Sequence, residues 1–163
     1  MWLISGYHDT MFVLVVDRLN GANIHEIWET EDEKKLSVKK LKEKYTAYAK
    51  SCFIKQPSLV VQNMETEWDI EVSSKVIKEW WKKSRTRPRI IAIQLLNSMI
   101  ETAALIETTK DTKHTPGIES VSEFSNYCKI NGELHNIRII IKKQLKRRFA
   151  YYYSAIITDN KKP

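Results

Sequence analysis

Arg138 and Lys142 stand four residues apart in a run where Ile137, Ile139 and Ile141 alternate with them. Successive side chains of a strand point to opposite faces. One face of this run therefore buries isoleucine while the other presents a guanidinium and an ammonium. An arginine fork grips a phosphate through two hydrogen bonds and stabilises negative charge developing on it. In the last apolar run, Tyr152 and Ser154 fall on a common face with Ala150. A tyrosine there can stack on a base or donate a proton. His114 sits beside Lys113 in a polar stretch, where an imidazole is a candidate general acid or base near neutral pH. A solvated sheet face with snorkelling cations and core aromatics would use the same residue types.

A second basic set precedes this one. Lys75, Lys78 and Lys82 recur at helical spacing, and Arg85, Arg87 and Arg89 continue the positive charge through residues 84–89. Interleaved with Trp80 and Trp81, they make an electropositive ridge of the kind that meets a polyanion. Lys146, Arg147 and Arg148 add a third cluster between the last two runs. Residues 1–71 carry 9 basic and 12 acidic side chains, a balance of −3, whereas residues 72–163 carry 18 and 8, a balance of +10. This asymmetry points to nucleic acid as the partner of the C-terminal part.

Other chemistries find little support. The histidines at 8, 25, 114 and 135 lack the spacing of a metal pair, and His135 is expected to face solvent. Cys52 and Cys128 are read as buried thiols of a reducing compartment, which is expected to be the cytoplasm, either where the chain is made or of a target cell into which it is delivered. Four glycines, with no phosphate loop or dinucleotide fingerprint, argue against a nucleotide cofactor, and no cofactor or metal is expected. No apolar run approaches the ~18 residues that would span a bilayer. The uncharged start, Met1 to Ile4, argues against a secretory signal, so no membrane contact is expected.

The elements that must position these groups follow from patterning. Residues 11–16 read as a strand, Asn20-Gly21 as a turn, and residues 24–28 as the start of a short helix. A basic helix capped by Ser37 carries Leu41, Tyr45 and Tyr48, and residues 59–61 and 68–72 read as strands. A helix from Ser73 or Ser74 runs to about Lys83. Pro88 then predicts a basic loop over residues 84–89. Ile90, Ile93, Leu96, Ile100 and Ala103 stripe the best candidate for a central core helix. Residues 105–108 suggest a strand, and 109–117 a polar loop. Three strands close the chain, over 121–130, 133–142 and 148–157. The first two are joined at Asn131-Gly132, where a tight hairpin turn needs positive φ at both positions. The expected fold is α+β, with helices packed on one face of a small antiparallel sheet. A short N-terminal α/β extension over 1–62 precedes the main domain at 63–163.

From Trp68 onward the chain resembles a known group of domains. The series is Asp69-Ile-Glu-Val-Ser-Ser-Lys-Val-Ile-Lys78, Leu95-Leu-Asn-Ser-Met-Ile-Glu-Thr-Ala103, Asn126-Tyr-Cys-Lys-Ile-Asn-Gly-Glu-Leu-His-Asn-Ile-Arg-Ile-Ile-Ile-Lys142 and Phe149-Ala-Tyr-Tyr-Tyr-Ser154. It is similar to nuclease-like domains of large polyvalent proteins of phages and mobile elements. Those belong with the barnase, EndoU, colicin and RelE-like ribonuclease toxins. The resemblance implies one or two helices before a four-stranded antiparallel sheet, and metal-independent cleavage of RNA through attack of the ribose 2′-hydroxyl on the adjacent phosphate. It implies catalytic roles for Lys75 or Lys78, Arg138, Lys142 and Tyr152 or Ser154, with His114 as acid or base. Lys82, Arg85, Arg87, Arg89 and Lys146 to Arg148 would bind RNA, and a cognate inhibitor or immunity protein would be a partner. Some relatives carry a histidine near the end of the last strand, where this chain reads Tyr151-Tyr-Tyr-Ser154. Two other readings compete with a ribonuclease: a non-catalytic nucleic-acid-binding module, and a protein-interaction domain of a phage or mobile-element protein.

Overall fold

A computed structural model describes the backbone of residues 2–5, 11–19, 22–51, 58–145 and 151–159, and side chains from residue 25 onward except 49, 76–77, 79–81 and 151–159. In chain order the strands are β1 (Trp2–Ser5), β2 (Met11–Leu19), β3 (Ala22–Ile27), β4 (Ser58–Gln62), β5 (Asp69–Ser73), β6 (Ala104–Lys110), β7 (Ile118–Ile130), β8 (Glu133–Gln144) and β9 (Tyr151–Asp159). The helices are α1 (Glu31–Lys34), α2 (Val38–Ser51), α3 (Ser74–Lys83), α4 (Arg87–Ile91) and α5 (Leu96–Thr102), with a 3-10 turn over Ala92–Leu95. The class is α+β. Among the described residues, all nine strands join one sheet in the order β1-β2-β3-β7-β8-β9-β5-β4, with β6 also flanking β7. The sheet is larger than the expected antiparallel meander, and it is mixed. β3 runs parallel to β7 and β5 parallel to β9. Strands on both sides of residue 62 share it. No helix among the described residues is long and apolar enough to cross a membrane.

Its backbone is the β7–β8 hairpin. Asn131 (φ 52°) and Gly132 (φ 80°) make the two-residue turn, pairing Ile130 with Glu133 and propagating that register to Val121 and Lys142. Alternation then sends Phe124, Cys128, Ile130, Ile137, Ile139 and Ile141 to one face. There they meet Ile90, Ile91, Leu95, Leu96, Met99 and Ile100 of the α4–3-10–α5 segment, Ile70 and Val72 of β5, and Leu41 and Tyr45 of α2. Each fully buried isoleucine or leucine contributes roughly 1.5–3 kcal/mol. Trp68 closes the cluster edge-on against Phe124, with centroids 5.7 Å apart.

Local expectations hold where a short segment decides the matter. Ser37 Oγ accepts from the Lys40 amide at 3.3 Å, as an N-cap should. The stripe expected of one core helix is buried, but α4, the 3-10 turn and α5 carry it in succession, and Ala103 is already extended. Three expectations are corrected. Residues 24–28 are not helical. Ile24 to Ile27 are held as strand by β2 on one side and β7 on the other, and that pairing outweighs local preference. The loop at 84–89 ends early, because Pro88 lies in the first turn of α4, where its missing N–H costs nothing. His135 turns inward, 4% exposed, because the hairpin register puts it in phase with Ile137. The Asn20-Gly21 turn and Cys52 lie outside the described residues.

Arg87 ties the elements together. Its Nη2 donates to Glu29 Oε2 at 2.6 Å and to the Glu33 carbonyl at 2.8 Å, and its Nη1 to the Leu36 carbonyl at 2.7 Å. Glu29 Oε1 also accepts from Asn131 Nδ2 at 3.0 Å, while the Glu29 amide donates to Asn131 Oδ1 at 2.8 Å. The Tyr45 hydroxyl donates to Glu33 Oε2 at 2.6 Å. One guanidinium thus joins the hairpin turn, α1 and the approach to α2. Asn63 performs a similar service elsewhere, its Nδ2 donating to the carbonyls of Ile100 and Ala103.

Two substitutions test these anchors. Arg87→Leu leaves the buried Glu29 carboxylate without its cation, and is expected to cost about 3 kcal/mol in urea unfolding. Gly132→Ala meets both the positive φ and the Trp28 ring, which lies 3.1 Å from where the new Cβ would stand. It is expected to cost about 1–2 kcal/mol by the same measurement.

Candidate functional site

Among the described residues, the core helices lie against the hairpin's first face and not its second. The side chains of the second face are half-buried: Glu123, Ser125 and Tyr127 from β7, and Asn136, Arg138, Ile140 and Lys142 from β8. Glu123 lies directly across from Ile140 and diagonal to Arg138. Arg138 closes a two-pronged pair on it, Nε to Oε1 and Nη2 to Oε2, both at 2.6 Å. The arginine's hydrogen bonds hold the Glu123 carboxyl below the usual range; partial desolvation opposes this, and the cation's charge adds to it. An ionised carboxylate beside an arginine fork can take a proton from a hydroxyl whose neighbouring phosphate the arginine contacts. Ser125 Oγ donates to Asn136 Oδ1 at 3.0 Å, one step further along the same face.

Toward the other end of this face, a depression of about 320 Å³ is lined by Thr109 and Lys110 at the end of β6 and by Asp111, Thr112, Lys113 and Thr115 of the β6–β7 connection, over Val121, Ile140 and Lys142. Asp111 shapes its rim by accepting from the amides of Lys113 and Thr115. Desolvation acts to raise the Asp111 pKa, but the Thr115 and Lys113 hydrogen bonds and the Lys142 charge prevail and lower it. Tyr152 stands opposite Lys142 in the β8–β9 ladder. Ser154 falls at the register shift between Ile140 and Ile141 and has no direct ladder partner there.

The other sequence-derived candidates are dispersed. His114 is exposed at φ 50° on the loop beside the depression, outside its lining. Lys75, Lys78 and Lys82 are exposed on α3, which packs on β5 and β9. Arg85 is exposed ahead of α4, and Arg89 is half-buried, its Nε without a hydrogen bond among the described residues. Arg87, expected on the same ridge, instead serves Glu29, whose hydrogen bonds raise the arginine's pKa. Lys146, Arg147 and Arg148 lie outside the described residues. Glu123 and Asp111 do not stand out in the sequence. A signal for Glu123 existed: a two-residue turn at 131–132 fixes which β7 residues face Arg138.

A second polar constellation lies in the core. His25, Cys128 and His135 are successive ladder partners across β3, β7 and β8, all buried. His25 Nε2 is 2.7 Å from Thr102 Oγ1, which also accepts from Asn126 Nδ2 at 2.9 Å. Burial pushes the Cys128 thiol up to about 12, so it stays protonated and is not a nucleophile. Among the described residues, no group of three histidine, cysteine or acidic side chains is placed to hold a metal.

A family model described as Large polyvalent protein-associated domain 3 matches residues 37–152, from the N-cap of α2 into β9. No curated protein and no solved structure matches the chain.

The buried row also sets a pH response. Burial lowers the His25 pKa from 6.5 to about 4. The unfolded imidazole takes up its proton at the ordinary value while the folded one resists. Stability from this group is therefore fully present above pH 6.5 and is lost as the pH falls from there toward 4. The expected loss is about 3 kcal/mol across that window. Urea midpoints measured from about pH 7 down to about pH 4 should show it, and His25→Gln should flatten it.

Proposed function

The chain belongs to the Large polyvalent protein-associated domain 3 family, and we propose that within such a protein it is an RNA-cleaving domain working on the open face of the β7–β8 hairpin. The phage and mobile-element setting is supported by that membership. The observation that carries the catalytic reading is the Glu123–Arg138 pair, a carboxylate and an arginine fork locked together on the half-buried sheet face opposite the described core. A passive cationic platform has no need of a carboxylate at its centre. The positive balance of residues 72–163 supports a polyanionic substrate.

In this reading Glu123 accepts the proton of the ribose 2′-hydroxyl, and the resulting oxygen attacks the adjacent phosphorus. Arg138 passes from the carboxylate to the phosphate oxygens, and Lys142 adds charge as the phosphorane forms. The 5′-oxygen departs with a proton from His114 or Tyr152, leaving a 2′,3′-cyclic phosphate and a free 5′-hydroxyl. An inhibitor protein covering this face belongs to the same proposal.

Incubation with total bacterial RNA in EDTA tests the reading directly. The expected products are discrete fragments ending in cyclic phosphate, with Glu123→Gln and Arg138→Ala each slowing cleavage by about 10²-fold or more. RNA that is shifted in a native gel but stays intact would favour a binding module, and RNA neither cut nor shifted a protein-interaction domain.

A further inference from the structure

We infer that the depression between the β6–β7 connection and Lys142 is a phosphate subsite, which holds the strand of a single-stranded RNA beside the Glu123–Arg138 pair. The inference deepens the RNA-cleavage reading and rests on it for the choice of ligand.

Three observations support it. The first is charge. Lys110, Lys113 and Lys142 converge on the depression against the carboxylate of Asp111, so the described lining is doubly positive. That carboxylate accepts the amides of Lys113 and Thr115, which holds the connection in shape. The second is chemistry. The rest of the described lining is threonine hydroxyls over Val121 and Ile140, with no aromatic ring among those residues to stack a base. Hydroxyls and ammonium groups suit phosphate oxygens, and a short apolar floor suits the edge of a sugar. The third is position. Thr109, Val121, Lys142 and Tyr152 are ladder partners in one row across four strands. That row lies two residues, about 7 Å, along β7 from Glu123. A strand lying along the hairpin face would pass from one position directly to the other.

The test is fluorescence anisotropy of a labelled oligouridylate, titrated at several salt concentrations against the full chain. Lys110→Ala combined with Lys113→Ala is expected to weaken binding about tenfold near ~0.1 M salt. It should also flatten log K against log salt by roughly 0.7 for each phosphate no longer neutralised. Lys39→Ala with Lys40→Ala, on exposed turns of α2, removes the same charge elsewhere and should leave the slope unchanged. Equal slopes for the pocket variant and the unaltered protein would overturn the subsite, even if RNA is cleaved. A reduced slope without any cleavage would sustain the subsite and overturn the cleavage reading. If inorganic phosphate shifts the amide resonances of Thr112 and Lys113 while the oligouridylate does not bind, the pocket serves a small phosphate compound and the RNA subsite is wrong.

Discussion

A single guanidinium organises the junction on which the sheet depends. Arg87, at the start of α4, meets a stretch more than fifty residues earlier in the chain, where the end of β3, α1 and the entry to α2 follow one another. Glu29 is buried, and a buried carboxylate without a partner would be strongly unfavourable. The pair therefore acts less as a source of net stability than as a condition on the arrangement: other placements of these segments leave a charge stranded. Through Glu29 the condition reaches Asn131, so the turn that sets the β7–β8 register is itself held by the junction.

That register governs both faces of the hairpin at once. Inward, it aligns the isoleucines of β8 with Phe124 and Cys128 beneath the helices. Outward, the same count brings Glu123 within reach of Arg138 and sets Lys142 across from Val121. A slip of one residue would exchange the two faces, burying Arg138 and exposing Ile139. The arrangement of polar groups on the second face is in this sense a by-product of how the core is packed. The helices on the other side hold the register that brings Glu123 and Arg138 together.

How much was legible beforehand follows from the range of the interactions involved. The hairpin, the isoleucine alternation and the Ser37 cap are decided within a few residues, and sequence shows them. The strand at Ala22–Ile27 is decided by β7, about a hundred residues later, and its local pattern gives no hint of that partner. Arg87 reads as one of three similar arginines until Glu29 is found beside it. His135 would have been placed correctly had the alternation been carried through from Ile137 to the turn. Glu123 was within reach by the same count, whereas Asp111 depends on how the β6–β7 connection folds over, which composition alone does not fix.

The parallel pairing of β3 with β7 has a consequence for the order of assembly. Its closing loop spans on the order of 100 residues, and contacts that distant form late because the chain must lose much freedom before they return any free energy. During synthesis, β3 emerges long before the strand that will cover its edge. For that interval its amides and carbonyls stand open toward any passing strand. Completion of the sheet waits on the hairpin, which zips from a local turn and then offers β3 the edge it lacks. The nascent chain thus has its slowest and most exposed step built into the middle of the sheet.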